Sequence, residues 1–278
     1  MINGPVIAHL RRPGGDAAGF EALRAAFRER NPGHDVAWCP SASAVPASDG
    51  YRLAFVLAAE GEASVGDILV IRPGVHRQLD GPTDLVMFTL PDPVPEEVPD
   101  EIRPDHDPRI TDTPGGCAEE EDAYRRICLT WLQDNGPYTY HALNAHRVRM
   151  WDSFSHYHPA GDGFDELYLV QEVRPGGHIV VSTHRERIES PGDVTREEAA
   201  GLLERLYPEV GDLVFIPRGV IHRGVGGVLA HVITVPGFRP GCEVGVDHHL
   251  RAIGERLGMG AADGLVWQQS ASRGPVTK

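Results

Sequence analysis

The chain has almost no lysine, few cysteines and no long apolar segment. Lys278 is the only lysine among 26 basic residues, so arginine carries nearly all of the positive charge. The four cysteines stand apart without a C-x-x-C pair, which excludes a dense disulfide framework. No apolar run approaches the roughly 18 residues of a membrane-spanning helix, and the N-terminus has no signal-peptide pattern. We therefore expect a cytoplasmic protein with reduced thiols.

The net charge of −14 disfavours nucleic acid and anionic membranes as partners, because both carry negative charge. This acidity is concentrated between residues 92 and 122, a segment that contains 12 acidic and only 2 basic residues. It therefore describes one segment, and it gives no reason to expect a cationic substrate.

Short apolar runs broken by the 32 glycines and 23 prolines indicate a mainly β chain with a few peripheral helices. Periodicity and capping patterns predict four helices. Their ranges are 16–31, 118–134, 194–206 and 247–258.

Composition suggests a division of the chain into three parts. Residues 1–90 and 118–278 are rich in strand patterns, and residues 91–117 form an acidic, proline-rich linker. We predict two strand-built domains on either side of this linker.

A metal-ligand pattern begins with His156 and His158, which are separated by one residue. On a strand such residues point to the same face, as two imidazoles must to hold one metal ion. The run ELYLV reads as the neighbouring strand and would return Glu166 beside the pair. Asp162 is an alternative carboxylate, because it lies in the loop just after His158.

A second block, GDLVFIPRGVIH at 211–222, combines a strand with a tight turn and ends at His222. A third imidazole would complete a set of three histidines and one carboxylate. Such a set suits Fe(II), Mn(II), Ni(II) or Zn(II) and leaves positions open for substrate, O2 or water.

Together the two blocks resemble the paired motifs of the cupin superfamily. The resemblance implies double-stranded β-helix (jelly-roll) barrels and the ligand set His156, His158, Glu166 and His222. The second motif matches at every spacing up to its histidine. The first has a longer loop before the glutamate, Met150 in place of its leading glycine, and Gly226 replaces the last asparagine of the second.

The N-terminal half repeats this plan without its ligands. LAFVLAAEG and GDILVIRPGVH align with LYLVQE and GDLVFIPRGVIH, which is typical of a bicupin. In this register Arg52 takes the position of Glu166, and only His76 could act as a ligand. We expect this half to be metal-free.

Five residues near the ligands are candidate substrate contacts. Phe154 and Tyr168 share the inward phase of the strands, and Asp162 lies in the intervening loop. The two arginines, Arg218 and Arg223, flank His222 and could hold a carboxylate or phosphate.

The phrases GFDELYLV and GDLVFIPRG are also similar to parts of homogentisate-type ring-cleaving dioxygenases. This implies an Fe(II)-dependent, non-heme dioxygenase that acts with O2 on a small hydroxylated aromatic or heterocyclic substrate. A Mn-, Ni- or Zn-dependent isomerase or decarboxylase and a non-catalytic small-molecule-binding cupin are the alternatives. A homodimer is a further expectation.

Overall fold

The computed structural model describes residues 4–116, 118 and 123–278. Within these ranges the chain forms two antiparallel sheets, one of five strands and one of ten. Helices are short and lie at the periphery. The prediction of a mainly β fold is therefore confirmed.

The five-stranded first sheet is built from the N-terminal part of the chain, with strand order β2-β5-β3-β4-β6. Its strands are β2 (Asp35–Val45), β3 (Tyr51–Ala59), β4 (Ile68–Ile71), β5 (Arg77–Leu90) and β6 (Glu101–Ile102).

The second sheet contains one strand from the beginning of the chain and nine from its C-terminal part. Its strands are β1 (Val6–His9), β7 (Arg125–Leu129), β8 (Asn144–Asp152), β9 (His156–Tyr157), β10 (Asp165–Val173), β11 (His178–Ser182), β12 (Glu204–Leu206), β13 (Asp212–Ile216), β14 (Ile221–Val235) and β15 (Val244–Gly245). The long β14 pairs with β10 and β11 and also with β8 and β9. It is thus the strand around which the second sheet is organised.

β1 pairs antiparallel with β13, so the first strand of the chain belongs to the second sheet. His9 and Asp212 reinforce this pairing with a contact of 2.8 Å between Nδ1 and Oδ1. The domain boundaries at residues 90 and 117 stay predictions, and this pairing ties the N-terminal segment to the C-terminal part across them.

Alternation along the strands separates two apolar clusters. Leu167 and Leu169 of β10 face the first sheet and join the core between the two sheets. Tyr168 and Val170 project from the other face and meet side chains of β8, β11, β13 and β14. Such convergence requires a rolled sheet, so the second sheet encloses an interior, which Glu166 faces because it shares the phase of Tyr168.

Four α-helices lie around the sheets in the described part of the chain: α1 (Ala17–Arg30), α2 (Arg185–Ile188), α3 (Arg196–Ala200) and α4 (Asp247–Leu257). Short 3-10 turns occur at Gln133–Asn135, Ala261–Asp263 and Ala271–Arg273. Helix α1 begins at the predicted cap, Asp16, whose carboxylate accepts from the backbone N–H of Gly19. Phe27 of α1 contacts Phe88 of the first sheet and Phe215 of the second, so this helix joins the two.

Two of the predicted helices need correction. Residues 125–129 form β7 instead of a helix, because pairing with β8 buries Ile127 and Leu129. The acidic part of that prediction, residues 119–122, lies outside the described residues. In the prediction over 194–206 only α3 is helical; its Thr195–Glu198 capping box is present, and β12 follows.

The predicted linker is packed against the rest of the protein. Its apolar side chains Val94, Val98, Ile102 and Ile110 are buried in the core between the sheets. β6 lies within this segment and pairs with β4. The proline-rich composition therefore indicates an irregular backbone, but the segment is not a flexible linker.

A buried ion cluster fixes α1 to the second sheet. The fully buried carboxylate of Asp165 accepts from Arg30 at 3.1 Å, from Arg218 at 3.0 Å and from Asn31 at 2.8 Å. Burial raises the pKa of Asp165, but the bonds and charges of the two arginines outweigh burial and hold it below 3.8. Asp165 precedes Glu166, so this cluster also anchors the start of the strand that carries the glutamate.

We expect Asp165→Asn to lower the free energy of unfolding by about 3–5 kcal/mol, because it leaves two guanidinium groups without their buried partner. Urea denaturation measures this change. Asp100→Asn, which breaks an exposed pair with Arg72, is the control and should cost about 0–1 kcal/mol.

The effect of Asp165→Asn should also depend on pH. A carboxylate whose folded pKa is depressed stabilises the fold above its unfolded pKa, and this contribution is lost as pH falls through the folded pKa. The difference between wild type and variant should therefore shrink in acid. Equal stability of the wild type and Asp165→Asn at neutral pH would contradict this role.

Candidate metal centre

Three buried histidines converge at one end of the second sheet. His156 lies in β9 and stands directly opposite His222 of β14, and His158 follows β9. The ligand-type atoms of the three side chains all lie within 4.8 Å of one another. Within the described residues, these three side chains therefore form a cluster that could bind a metal ion.

The backbone fixes the protonation pattern of each imidazole. The Nδ1 atoms of His156, His158 and His222 lie 3.0, 3.0 and 3.1 Å from the carbonyl oxygens of Phe154, Phe164 and Val220, respectively. A carbonyl oxygen can only accept, so each Nδ1 carries the hydrogen. Each Nε2 is then the atom with a lone pair, which is the arrangement of a metal-ligating histidine.

The Nε2 atoms of His156 and His158 are buried without a hydrogen-bond partner in the described part of the structure, and the buried Nε2 of His222 has the carboxylate of Glu166 beside it at 3.1 Å. Orphaned buried polar atoms are costly, and a bound cation would satisfy all three at once. Burial also lowers the pKa of His156 and His158, which keeps both imidazoles neutral. These residues fit a divalent transition metal.

Glu166 supplies a carboxylate to the same place. Its Oε2 lies 3.1 Å from Nε2 of His222, and its Oε1 lies 3.8 Å from Nε2 of His158. Burial raises the pKa of Glu166, but the contact with His222 outweighs burial and lowers it. Asp162 is exposed, and its backbone carbonyl accepts from Arg239 and Cys242. The geometry thus favours Glu166 over Asp162 as the carboxylate ligand.

The short strand that carries His156 is held on both sides. His156 pairs with β14 on one edge and with Gly245 of β15 on the other. The preceding residue, Ser155, donates its backbone N–H and its hydroxyl to Asp247 at the start of α4, at 2.6 and 2.7 Å. Helix α4, which the sequence predicted, therefore helps to position the first histidine.

Sequence reasoning missed a second, partly buried carboxylate at the site, that of Glu243. Oε1 of Glu243 lies 3.9 Å from Nε2 of His156, and burial together with the charge of Glu166 raises the pKa of Glu243 to about 7. Glu243 belongs to neither sequence block. Glu243 is linked to the site only by its position two residues before Gly245. The pairing of Gly245 with His156 cannot be read from the sequence.

A cavity of about 290 Å³ reaches the ligand cluster, because Glu166 and Glu243 are part of its lining. Other polar side chains line it as well, among them Arg125, His146, Thr234 and Lys278. The Oγ1 atom of Thr234 and the Nε2 atom of His146 are buried without a partner among the described residues. Burial lowers the pKa of His146 to about 3, so its imidazole is neutral.

The predicted aromatic contacts lie beside the ligands, and neither is among the described residues that line this cavity. Phe154 stacks on His156 with ring centroids 4.3 Å apart and an interplanar angle of 18°. Tyr168 is buried in the interior of the second sheet, with its ring 6.2 Å from that of His222. Phe154 thus packs on a candidate ligand and Tyr168 lies in the sheet interior, and the role of both as substrate contacts stays a prediction.

The two arginines predicted to bind substrate are already paired with carboxylates. Arg218 belongs to the Asp165 cluster. Arg223 contacts Asp152, since it points to the face opposite His222. Sequence patterns near a histidine do not show which acidic residues lie across the sheet, and the role of both arginines as substrate contacts stays a prediction.

The first sheet has the predicted counterpart of Glu166. Arg52 stands opposite an isoleucine on one neighbouring strand and a threonine on the other, as Glu166 does in the second sheet. Arg52 is only 6% exposed, and it donates to the backbone carbonyl of Pro46. His76 is exposed. A buried guanidinium repels a metal ion at this place, but the metal-free state of this half stays a prediction.

No protein-family model matches the chain, and no curated protein matches it. Among solved structures, the salicylate 1,2-dioxygenase of Pseudaminobacter salicylatoxidans is 12% identical, covers 85% of each chain and has a TM-score of 0.47. An oxalate decarboxylase of Lactobacillus farciminis in complex with formate is 13% identical over 81% of this chain and 85% of its own, with a TM-score of 0.48. Vicilin from Corylus avellana (hazelnut) is 10% identical over 73% and 74%, with a TM-score of 0.43. These likenesses concern the fold and assign no activity to this chain.

The strand pairing agrees with the arrangement predicted from the sequence. Both sequence blocks lie on paired antiparallel strands of the rolled second sheet, and the first sheet repeats their register. Among the described residues, no helix is both long and apolar enough to cross a membrane.

We expect the protein to bind one divalent metal ion per chain after anaerobic reconstitution with Fe(II). His156→Ala should weaken metal binding by at least about 100-fold. Loss of a residue that only hydrogen-bonds a metal ligand costs up to about 100-fold, and loss of a ligand itself should cost at least as much. Elemental analysis and competition with a chelator measure this. His76→Ala is the control and should keep full metal content, whereas equal losses in both variants would contradict the assignment.

Glu166→Gln should weaken the metal more than Asp162→Asn does, because only Glu166 points to the three imidazoles. Calorimetric titration with Zn(II) compares the two variants with the wild type. The assignment would be wrong if Asp162→Asn lost affinity and Glu166→Gln retained it.

Proposed function

We propose that the protein is an Fe(II)-dependent oxygenase that acts on a small hydroxylated aromatic or heterocyclic substrate. The observation that carries this proposal is the convergence of three imidazole Nε2 atoms and one carboxylate in a buried place. This donor set suits Fe(II) and leaves coordination positions for other ligands. When bound, iron would supply the one-electron chemistry that reactions with O2 require.

The cavity supplies the means to bind and orient a small planar molecule. Ile127, Leu129 and Phe238 provide apolar surface, and the volume of about 290 Å³ lies at the small end of ligand pockets. A single substituted ring suits this space. The neutral polar groups of Thr234 and His146 would orient ring substituents, and a bound ring would exclude water from Glu166.

A second candidate is a Mn-, Ni- or Zn-dependent isomerase or decarboxylase. The specific observation that favours it is Glu243, a partly buried carboxyl group 3.9 Å from Nε2 of His156. A carboxyl group in this place could hold or transfer a proton, which isomerisation and decarboxylation both need.

Oxygen consumption tests the proposal most simply. Fe(II)-loaded protein should consume O2 with a member of a panel of hydroxylated arenes and hydroxybenzoates, and His156→Ala should reduce the rate to background. Turnover with Mn(II) that needs no O2 would favour the second candidate. Substrate binding that is unchanged by His156→Ala, with no turnover under either condition, would identify a non-catalytic binding cupin.

A further inference from the structure

The first sheet carries a buried arginine without an acidic partner. Arg52 is 6% exposed, and within the described part of the chain its hydrogen-bond partner is the backbone carbonyl of Pro46, which accepts from Nη2. Its Nε is buried without a partner. Arg77 of the same sheet, by contrast, pairs with Glu101 at 3.2 Å. Among the described residues, the partner of Arg52 is thus a neutral carbonyl and not a carboxylate.

The surroundings of Arg52 leave its charge uncompensated. An arginine stays protonated in proteins, so burial does not remove the charge, although it lowers the pKa of Arg52. The ionisable neighbour that acts on Arg52 is Cys39, and burial raises the pKa of this thiol. Cys39 is therefore neutral and supplies no negative charge. Because a buried charge is costly unless it is paired, an anion from solution would stabilise this part of the fold.

Arg52 lies on the face of the first sheet that points away from the core between the sheets. It shares the phase of Ala54 and Val56 of β3, which pack in a separate apolar cluster on that face. Ala37, Met87 and Ala54 stand side by side on β2, β5 and β3. Two of these three side chains are small, and Met87 is only partly buried. A small ligand can therefore approach the guanidinium from this face.

The register of the two sheets shows what kind of ligand this place would take. Arg52 and Glu166 each stand between an isoleucine and a threonine on the neighbouring strands. The position that presents a negative charge to a cation in the second sheet thus presents a positive charge in the first. A guanidinium offers several N–H donors in one plane, which matches the two oxygens of a carboxylate.

We infer that the first sheet binds a small carboxylate at Arg52, through N–H groups that Pro46 does not use. A carboxylate carries one negative charge, which a single guanidinium neutralises, whereas a phosphate group carries more than one near pH 7 and would keep an excess in a buried place. This anion site is separate from the candidate metal centre and shares no residue with it. It therefore does not depend on the proposed function.

Nuclear magnetic resonance of the arginine Nε–H groups tests this inference with simple probes. Acetate is the ligand, acetamide is a neutral control of nearly the same shape, and inorganic phosphate is the third probe. Acetate should shift the Arg52 Nε–H signal in a saturable way. It should bind about 10- to 100-fold more tightly than acetamide, the range expected for hydrogen bonds to a charged group, and more tightly than phosphate.

Three variants locate the binding. Arg52→Gln should weaken acetate binding at least about 10-fold, and the signal that it lacks is that of Arg52. Arg77→Gln is the matched control, because Arg77 belongs to the same sheet and is paired with Glu101. It should retain acetate binding, as should His156→Ala, which alters only the candidate metal centre. If Arg52→Gln does not fold by circular dichroism, Arg52→Lys assigns the signal, and the wild-type titrations decide.

The inference is overturned if acetate leaves the Arg52 signal unshifted, if acetamide binds as tightly as acetate, or if folded Arg52→Gln keeps the full affinity for acetate. Tighter binding of phosphate than of acetate would also contradict it, because the site would then take a different class of anion. Loss of acetate binding in His156→Ala would place the anion at the metal centre instead.

Discussion

The candidate metal centre depends on three hydrogen bonds from imidazole Nδ1 atoms to backbone carbonyl oxygens. Because these bonds fix the hydrogen on Nδ1, they leave the Nε2 atoms of His156, His158 and His222 as bases that face one another. The buried lone pairs of His156 and His158, which have no hydrogen-bond partner among the described residues, destabilise the metal-free protein. The binding of one cation would offset that cost and complete the site. The fold therefore holds the candidate ligand atoms in position without the metal.

The surrounding structure maintains this geometry from several directions. β9 contains only two residues, and it is held by β14, β15 and the carboxylate of Asp247. On the other side, Asp165 fixes the beginning of β10 to α1 and to the turn before β14. Two separate polar anchors thus set the positions of His156 and Glu166, and the packed interior of the rolled sheet sets the distance between their strands.

The ligand residues could be predicted because their spacing reflects strand geometry. His156 and His158 are two residues apart, and Glu166 and His222 occupy fixed places in strands that pair with each other. The arginines could not be predicted in the same way. Arg218 and Arg223 are close to a ligand in the sequence, but their charges are taken up by Asp165 and Asp152, which only the sheet brings near them.

The residues of the cavity could not be predicted from the spacing of the two motifs. Arg125 and Glu243 lie far from both motifs in the sequence, and β7 and β15 bring them to the site. The stretch around Arg125 also has a helical pattern, but pairing with β8 overrides local propensity because it buries Ile127 and Leu129. Local patterns therefore indicated the candidate metal ligands, whereas the lining of the cavity depends on long-range strand pairing.

The most direct test of the account is nitrogen-15 NMR of the histidine side chains in protein loaded with diamagnetic Zn(II). The account predicts that, at one equivalent of metal, three imidazoles each carry a hydrogen on Nδ1 and a metal-bound Nε2. Their assignment to His156, His158 and His222 would follow from single substitutions. Coordination through Nδ1, or any of the three remaining unshifted after one equivalent, would contradict it.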